Sequence, residues 1–392
     1  MSTTADSRPG TDRGTTATLA VVAALAAGSI YYVQPLLDTI AREFGVGPAQ
    51  AGLLVTATQL GFVGGLAVGG PLGDRMSRRT LVTALLATSA ATLGLAAAAP
   101  AFWLLVVTMT AIGIAAAAAQ VAVPFAAQLA DPDHRGRVTG TVMGGLLLGI
   151  LLARTVSGAV AGASGWRSVF AAAAVVMAAL ALVAWRRLPA DRDGKDPRGL
   201  GALLGSIAGL VRAEPVLRNR MLLGALGMFG FSAMWTASAF LLARDYGLPD
   251  AVIGLFGLAG AAGALGAPFV GRIADRGHGA FATTAGWVLV AVGWGLLWLG
   301  GSSLVAFVVG LLVFDLAVQM LQISNQSRIY QLDASARGRI TTAYMVSMFS
   351  GGMVGSVVGA SAFAGGGWSA VCVAGLVVAG VGGVRWWRSR AL

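Results

Sequence analysis

The sequence predicts an all-α membrane protein with twelve transmembrane helices in two pseudo-symmetric six-helix bundles. Three observations carry this: the composition, the length and number of the apolar runs, and signals that recur at a fixed offset. Hydrophobic residues make up 57% of the 392 residues and charged residues only 11%, whereas a soluble domain carries roughly 25% charged residues. Such a chain cannot cover itself with a water-compatible surface.

Twelve apolar runs follow one another, and each is close to the roughly 20 residues that a spanning helix needs. The first six predicted spans are 17–37, 50–72, 80–99, 101–126, 140–162 and 168–185. The second six are 220–242, 250–270, 280–299, 303–325, 340–363 and 368–384. The first run is long enough to span, so it is not read as a cleavable signal peptide.

These spans divide the chain into five segments. They are a cytoplasmic tail (1–16), a six-helix bundle (17–185), a charged cytoplasmic loop (186–219), a second bundle (220–387) and a short cytoplasmic tail (388–392). Within the loop, the apolar stretch Leu200 to Val211 is too short and too glycine-rich to span. We expect it to form a helix at the membrane surface.

The basic residues predict the orientation. All but four of the 27 lysines and arginines fall on one side of the predicted topology. Arg42, Arg167 and Arg244 lie on the other side, and Arg154 lies inside a span. By the positive-inside rule, both termini are cytoplasmic. The net charge of +11 therefore comes from basic residues concentrated in alternate loops, and it does not indicate a nucleic-acid partner.

Loop signals recur about two hundred residues apart. Arg135-Gly136-Arg137 recurs as Arg337-Gly338-Arg339, at an offset of 202 residues. Glycine, acid and arginine positions recur in two matching loops: Gly70, Asp74, Arg75, Arg78 and Arg79 in the first, and Gly271, Asp275 and Arg276 in the second. A long internal repeat in a membrane protein is typical of secondary transporters. The acids can pair with arginines and helix termini and so form a cytoplasmic latch between the halves. The alternative is that these residues only anchor the loops.

Two charges lie inside predicted spans. Arg154 is about 14 residues into the fifth span, where a charge costs at least ~2.5–3.5 kcal/mol and is usually kept for function. It must face a polar cavity or an acid on another helix, unless it snorkels to the surface. Asp315 is the one acid well inside a span. A carboxylate away from water can exchange a proton at physiological pH, so we expect Asp315 to couple protons, to pair with Arg154, or both.

Uncharged polar residues inside spans are further candidates. Three glutamines share one helical face with Asp315, because they follow it at four, seven and eleven residues: Gln319, Gln322 and Gln326. With Asn325 beside them, they indicate that this helix faces water or substrate. Weaker candidates lie on the first, second and fourth spans: Gln34, Tyr31, Tyr32, Gln59 and Gln120. Each of these can line a cavity or equally be a hydrogen-bonding contact between helices; Gln120 and Gln322 are related by the 202-residue offset.

The sequence carries no pattern of enzymatic or metal chemistry. Cys372 is the single cysteine, and the two histidines, His134 and His278, lie in separate short loops. No paired catalytic carboxylates, nucleophile–base set or nucleotide-binding loop of the Gly-x4-Gly-Lys-Ser/Thr kind is present. We therefore expect no enzyme, no metal and no cofactor, with a proton gradient as the energy source.

The chain resembles the major facilitator superfamily over essentially its whole length. That family carries Gly-x-Leu-x-Asp-Arg-x-Gly-Arg-Arg between helices 2 and 3, and Gly70, Leu72, Asp74, Arg75, Arg78 and Arg79 match it, with Ser77 in place of the second glycine. The segments 31–37 and 149–158 resemble a bacterial efflux-type subgroup near sugar and nucleoside exporters and drug:proton antiporters. Two positions depart from the antiporter pattern: Ala153-Arg154 replaces a glycine–proline pair in helix 5, and Met109 replaces an arginine in helix 4.

The resemblance implies an exporter of a small organic molecule (a drug, antibiotic or metabolite) that works by proton antiport with alternating access. It further implies a monomer in the bacterial cytoplasmic membrane, with protons, lipid and a small molecule as its partners. Two alternatives stay open. One is a sugar or nucleoside transporter working by uptake or facilitated movement, and the other is a membrane receptor.

Overall fold

The computed structural model describes residues 13–73, 76–131, 133–189, 200–260, 279–333 and 336–390. Within these residues, ten helices are long and apolar enough to cross a membrane. Those of the first half are α1 (Arg13–Phe44), α2 (Pro48–Gly69), α3 (Arg78–Ala97), α4 (Phe102–Leu129), α5 (Arg135–Ser164) and α6 (Trp166–Arg187). In the second half they are α7 (Pro215–Asp245), α9 (Gly279–Leu299), α10 (Leu304–Ile329) and the stretch Arg337–Ser389.

The stretch Arg337–Ser389 contains two spans. Its 53 residues break at Gly366 and at Gly367, where φ is +63°, a conformation that glycine adopts without strain. The residues before and after the break are α11 and α12. Helix α8 begins at Asp250–Ala259, and the remainder of its predicted span lies outside the described residues. The twelve predicted spans thus each correspond to a helix or to the start of one.

Two helices differ in extent from the sequence prediction. Helix α1 continues past residue 37 to Phe44, with a 3₁₀ turn at Gln34–Leu36 in its course. Helix α7 begins at Pro215 and not at residue 220, because proline is suited to the first helical position. Arg218 and Arg220 are therefore helical residues, although the sequence placed them in or at the edge of the loop. The predicted surface helix of that loop forms at Leu200–Ala213.

The two halves pack by the same scheme. Helix α1 packs on α5 as α7 packs on α11, and α3 packs on α6 as α9 packs on α12. The glycine spacing Gly351/Gly355/Gly359 permits the α7–α11 contact, since an added Cβ would lie 2.1–2.6 Å from carbonyl oxygens of α7. These repeated contacts confirm the internal duplication.

The halves meet through two symmetry-related crossings, α2 with α11 and α5 with α8. A Cβ on Gly52 would lie 2.3 Å from Ala360 Cβ, and a Cβ on Gly158 would lie 2.4 Å from the Asp250 carbonyl oxygen. Gly158 and Ala360 are 202 residues apart, so the two crossings use equivalent positions. We call the membrane face at the start of α1 and the end of α12 the terminal face, and the other the opposite face. Both crossings lie toward the opposite face.

Candidate functional site

Arg154 lies in the middle of the molecule, on α5, at the boundary between the halves. Its side chain is 4% exposed. The Nε atom donates a hydrogen bond to Gln34 Oε1 at 2.6 Å, from the 3₁₀ turn in α1. The guanidinium carbon lies 4.6 Å from the ring centre of Tyr31 and 4.1 Å from that of Trp235. Arg154 is therefore enclosed within the protein by groups of both halves, and it does not snorkel to a membrane surface.

Aromatic faces stabilise the buried cation. Phe231 on α7 adds a third ring, 5.6 Å from the guanidinium carbon, and such contacts are worth about 2 kcal/mol when desolvated. Helix α8 approaches closely here, because a Cβ on Gly257 would lie 2.8 Å from Arg154 Cβ. The guanidinium is thus held in place without a carboxylate in contact.

Asp315 lies on α10, and its residue is 6% exposed. Its carboxylate interacts electrostatically with Arg154 and lies beside Trp235. No direct ion pair joins Arg154 and Asp315, so the two charges act on each other across a gap. A Cβ on Gly260 of α8 would lie 3.8 Å from Asp315 Oδ2. The carboxylate therefore faces the boundary between the halves.

Three buried polar atoms of this cluster have no hydrogen bond of normal geometry to the residues that the structure describes, although Trp235 Nε1 interacts with the Asp315 carboxylate. They are Arg154 Nη2, Trp235 Nε1 and Asp315 Oδ1. An unpaired buried donor or acceptor costs about 1–3 kcal/mol, so such groups usually have a bound molecule or water as partner. Two donors and one acceptor from α5, α7 and α10 thus form a candidate binding site. We call Arg154, Trp235, Asp315, Gln34 and Tyr31 the central cluster.

The sequence alone identifies four residues of the central cluster and misses the fifth. Arg154 and Asp315 stand out as charges in apolar runs, and Gln34 and Tyr31 are weaker polar candidates. The missed residue is Trp235, because an aromatic side chain inside an apolar span is usually part of the packed core. Its indole N–H became a candidate only once the structure placed it between the two charges.

The other polar candidates lie elsewhere. Gln59 on α2 donates to Ser232 Oγ at 2.6 Å, a contact between the halves. Tyr32 lines an apolar cavity with residues of α5 and α6. Gln319, Gln322 and Gln120 are half-buried. Asn325 accepts a hydrogen bond from Arg220 Nη1 at 3.2 Å and belongs to a separate cluster.

Most of the predicted cytoplasmic latch lies outside the described residues. This applies to Asp74, Arg75, Gly271, Asp275 and Arg276, and the surroundings of Gly70 are not described. Arg78 and Arg79 begin α3, and the Arg79 guanidinium lies 4.5 Å from the ring of Trp185 on α6, which is a contact within the first half. The latch at this face stays a prediction.

An ion cluster that the sequence did not reveal joins the halves at the opposite face. Asp38 on α1 has a side chain only 3% exposed, and its two oxygens bind two arginines. Oδ2 lies 3.1 Å from Arg42 Nε on the same helix, and Oδ1 lies 2.5 Å from Arg244 Nε on α7. Thr39 donates to the Asp250 carboxylate at 2.8 Å. Together with the two helix crossings, this cluster closes the opposite face.

Comparison with known proteins gives the family. The Major Facilitator Superfamily model matches residues 19–356. The chain is 46% identical over 371 residues to the putative uncharacterized transporter YgaY of Escherichia coli (strain K12), covering 94% of each chain. It is 36% identical to the probable transporter SCO4007 of Streptomyces coelicolor (95% and 86% covered). It is 28% identical to a chloramphenicol resistance protein of Streptomyces lividans (70% of each).

Solved structures agree on the fold. A bacterial homologue of the human lysosomal transporter Spinster, in an inward-facing and occupied conformation, superposes with a TM-score of 0.78 at 15% identity over 96% of each chain. The nucleoside transporter NupG has the same TM-score at 14% identity, covering 96% of this chain and 99% of its own. With the family match over most of its length and a 46% identical relative, the chain belongs to the major facilitator superfamily and is a membrane transporter.

Proposed function

We propose that this transporter exports a small organic molecule by proton antiport, with the central cluster as both substrate site and coupling site. The observation that carries the proposal is the unpartnered Asp315 carboxylate, buried beside Trp235 and facing Arg154 across the boundary between the halves. A buried carboxylate costs much less when neutral. Protonation of Asp315 therefore responds to anything that changes its contact with water or with Arg154.

The geometry supports an alternating cycle. When Asp315 is ionised it balances part of the charge of Arg154. In that state the carboxylate can accept a hydrogen bond from a hydroxyl or amide group of the substrate, while the free Nη2 of Arg154 binds an acceptor group; a proton on Asp315 removes the carboxylate acceptor. When the two halves rock against each other at the α2–α11 and α5–α8 crossings, the central cluster is exposed to one face of the membrane at a time. Substrate and proton thereby compete for one site, and such competition couples their opposite movements.

Export of a drug-like molecule is favoured over the alternatives by one relative. The chloramphenicol resistance protein covers 70% of this chain, whereas the likeness to the nucleoside transporter is at the level of the fold. Amide, carbonyl and nitro oxygens are acceptors that the free donors of Arg154 and Trp235 can bind. The excess of basic residues in the loops at the terminal face supports a cytoplasmic location for that face, in a bacterial cytoplasmic membrane.

The test compares wild type with Asp315→Asn in proteoliposomes and in an efflux-deficient bacterial host. In the host, a panel of antibiotics and metabolites identifies the substrate by resistance and reduced accumulation. In proteoliposomes, an imposed pH gradient drives accumulation of that substrate by wild type. We expect Asp315→Asn to lose pH-driven accumulation and to keep pH-independent exchange of substrate.

Glu43→Gln is the matched control. It also removes one carboxylate, but Glu43 lies at the opposite face and pairs with Arg167 of the same half. Normal pH-driven transport is expected for this variant. Unchanged pH-driven accumulation in Asp315→Asn would contradict proton coupling at this residue and would favour facilitated transport.

A further inference from the structure

A second polar cluster lies in the C-terminal half, toward the terminal face. Arg220 on α7 is 6% exposed, and its Nη1 atom donates to Asn325 Oδ1 at 3.2 Å and to Thr283 Oγ1 at 3.4 Å. The ring of Trp386 on α12 covers the guanidinium at 4.9 Å. Asn325 follows Asp315 by ten residues on α10, which is about 15 Å along the helix axis. The cluster is therefore separate from the central one.

The positive charge of Arg220 has no counter-charge in the part of the chain that the structure describes. Its hydrogen-bond partners are an amide and a hydroxyl, and the charged side chain that acts on it is another cation, Arg328. Helices α7, α9, α10 and α12 thus surround a buried cation with neutral groups. A buried charge without compensation is strongly unfavourable, so an anion nearby would stabilise this arrangement.

The hydrogen bond from Arg220 fixes the orientation of the Asn325 amide. Because Oδ1 accepts from Arg220, the Nδ2 group points the other way, and it is buried with no hydrogen-bond partner among the described residues. The same holds for the hydroxyl of Tyr344 on α11. Its ring lies against α7, where a Cβ on Gly224 would meet the Tyr344 hydroxyl at 2.9 Å. The amide and the hydroxyl interact with each other, although no hydrogen bond of normal geometry joins them, so the packing of the bundle holds the two donors side by side.

Both donors border the same small cavity. Asn325, Tyr344 and Gln322 are its polar lining, and Leu223, Met228 and Met348 are among its apolar lining. Its volume leaves room for about one water-sized group. A group placed there receives two hydrogen bonds and lies within the field of Arg220. An acceptor with negative charge fits these conditions better than a neutral donor.

We propose that this cavity is a second binding site, for a small monovalent anion of the size of chloride. Tyr344 and Asn325 contact the anion, and Arg220 acts as a positioning residue that orients the amide and supplies the charge. The site lies on the predicted cytoplasmic side of the central cluster.

The test measures thermal unfolding of the purified transporter as sodium chloride or sodium acetate replaces a bulky sulfonate (HEPES) at constant ionic strength. We expect a saturable rise in Tm with chloride and no such rise with acetate, because acetate is too large for the cavity. An equal rise with both salts would contradict a site of this size. No anion-specific rise in the wild type would overturn the proposal, because the cavity would then hold water.

Two variants locate the effect. Tyr344→Phe removes one donor without changing the ring, so the apparent anion affinity should fall about tenfold. Asn325→Asp places a carboxylate beside Arg220, so the response to added anion should disappear. Tyr246→Phe is the control, because its hydroxyl bonds to the Gly300 carbonyl oxygen at the opposite face. Wild-type anion responses in both Tyr344→Phe and Asn325→Asp would overturn the proposal. Since unfolding is measured without transport, proton coupling does not affect the outcome.

Discussion

Breaking the contact between Asp38 and Arg244 should open the opposite face. Arg244 belongs to α7 in the second half and Asp38 to α1 in the first, so their ion pair exists only while this face is closed. Arg244→Gln is the perturbation of choice, because Asp38 keeps Arg42 as a partner and no buried charge is left alone. The change therefore tests the contact between the halves with little cost to folding.

The size of the effect follows from the exposure of the two groups. A hydrogen bond between charged groups contributes about 1.5–3 kcal/mol when buried, and an exposed ion pair contributes ~0.2–1 kcal/mol. Asp38 is 3% exposed and Arg244 is 39% exposed, so we expect about 1–2 kcal/mol. At 1.4 kcal/mol per factor of ten, the population open at this face should rise roughly 5- to 30-fold.

Arg42→Gln is the matched control. Arg42 pairs with the same carboxylate, but both residues lie on α1, and Arg42 is 70% exposed. That pair persists whichever face is open, so its loss should change the open population little.

The assay is the labelling rate of a cysteine placed at Ser356. Ser356 is completely buried where α11 meets α2, and its hydroxyl lies 2.7 Å from that of Thr56. With the native buried Cys372 replaced by alanine, labelling of Ser356→Cys by a thiol reagent in micelles follows opening of this crossing. Equal rates for Arg244→Gln and Arg42→Gln, or an unchanged rate for Arg244→Gln, would refute the reasoning.

Two further predictions concern packing and the central cluster. Gly355→Ala should lower the stability by at least about 2 kcal/mol, because its Cβ would lie 2.2 Å from the Phe229 carbonyl oxygen of α7. Gly365→Ala is the control and should leave the melting temperature unchanged, because nothing lies within 4 Å of its added Cβ. Equal melting temperatures for the two variants would contradict the prediction. Trp235→Phe keeps an aromatic face over Arg154 and removes Nε1–H, so substrate affinity should fall about tenfold while the melting temperature stays near wild type. A large loss of stability would mean that this N–H is already bonded in the resting protein.

The sequence predicted the architecture well because the signals of membrane architecture are local. An apolar run of sufficient length, ended by glycine or charged residues, identifies a span without knowledge of its neighbours. Arg154 and Asp315 were found in the same way, since a charge inside an apolar run is costly wherever the helix packs. The spacing of Gly351, Gly355 and Gly359 marks a flat face of α11 in the sequence, but only the structure identifies α7 as the helix that packs on it.

Features that depend on distances between helices were not predicted. Asp38 follows the predicted end of the first span by one residue and was therefore treated as a loop residue. Its two partners, Arg42 and Arg244, are 202 residues apart and occupy equivalent positions in the two halves. That relation could have indicated a shared partner. Arg220 is the first residue of the predicted seventh span, where a cation is expected as a topological signal. The helix in fact begins at Pro215, so Arg220 lies more than one turn inside it.

The two buried charges of the central cluster occur in only one copy of the repeat, and packing at the equivalent positions accounts for this. The counterpart of Asp315 is Gly113 on α4, where a Cβ would lie 2.0 Å from the Thr58 carbonyl oxygen of α2. No carboxylate fits there without separating the two helices.

The counterpart of Arg154 is Ser356, whose hydroxyl is already bonded to that of Thr56 across the α2–α11 crossing. One crossing between the halves is thus a short polar contact that needs no ligand. The other, between α5 and α8, carries Arg154 beside free hydrogen-bonding atoms of Trp235 and Asp315. Both crossings must rearrange together when the halves move. A molecule bound beside the α5–α8 crossing alone can therefore shift the conformational equilibrium of the whole transporter.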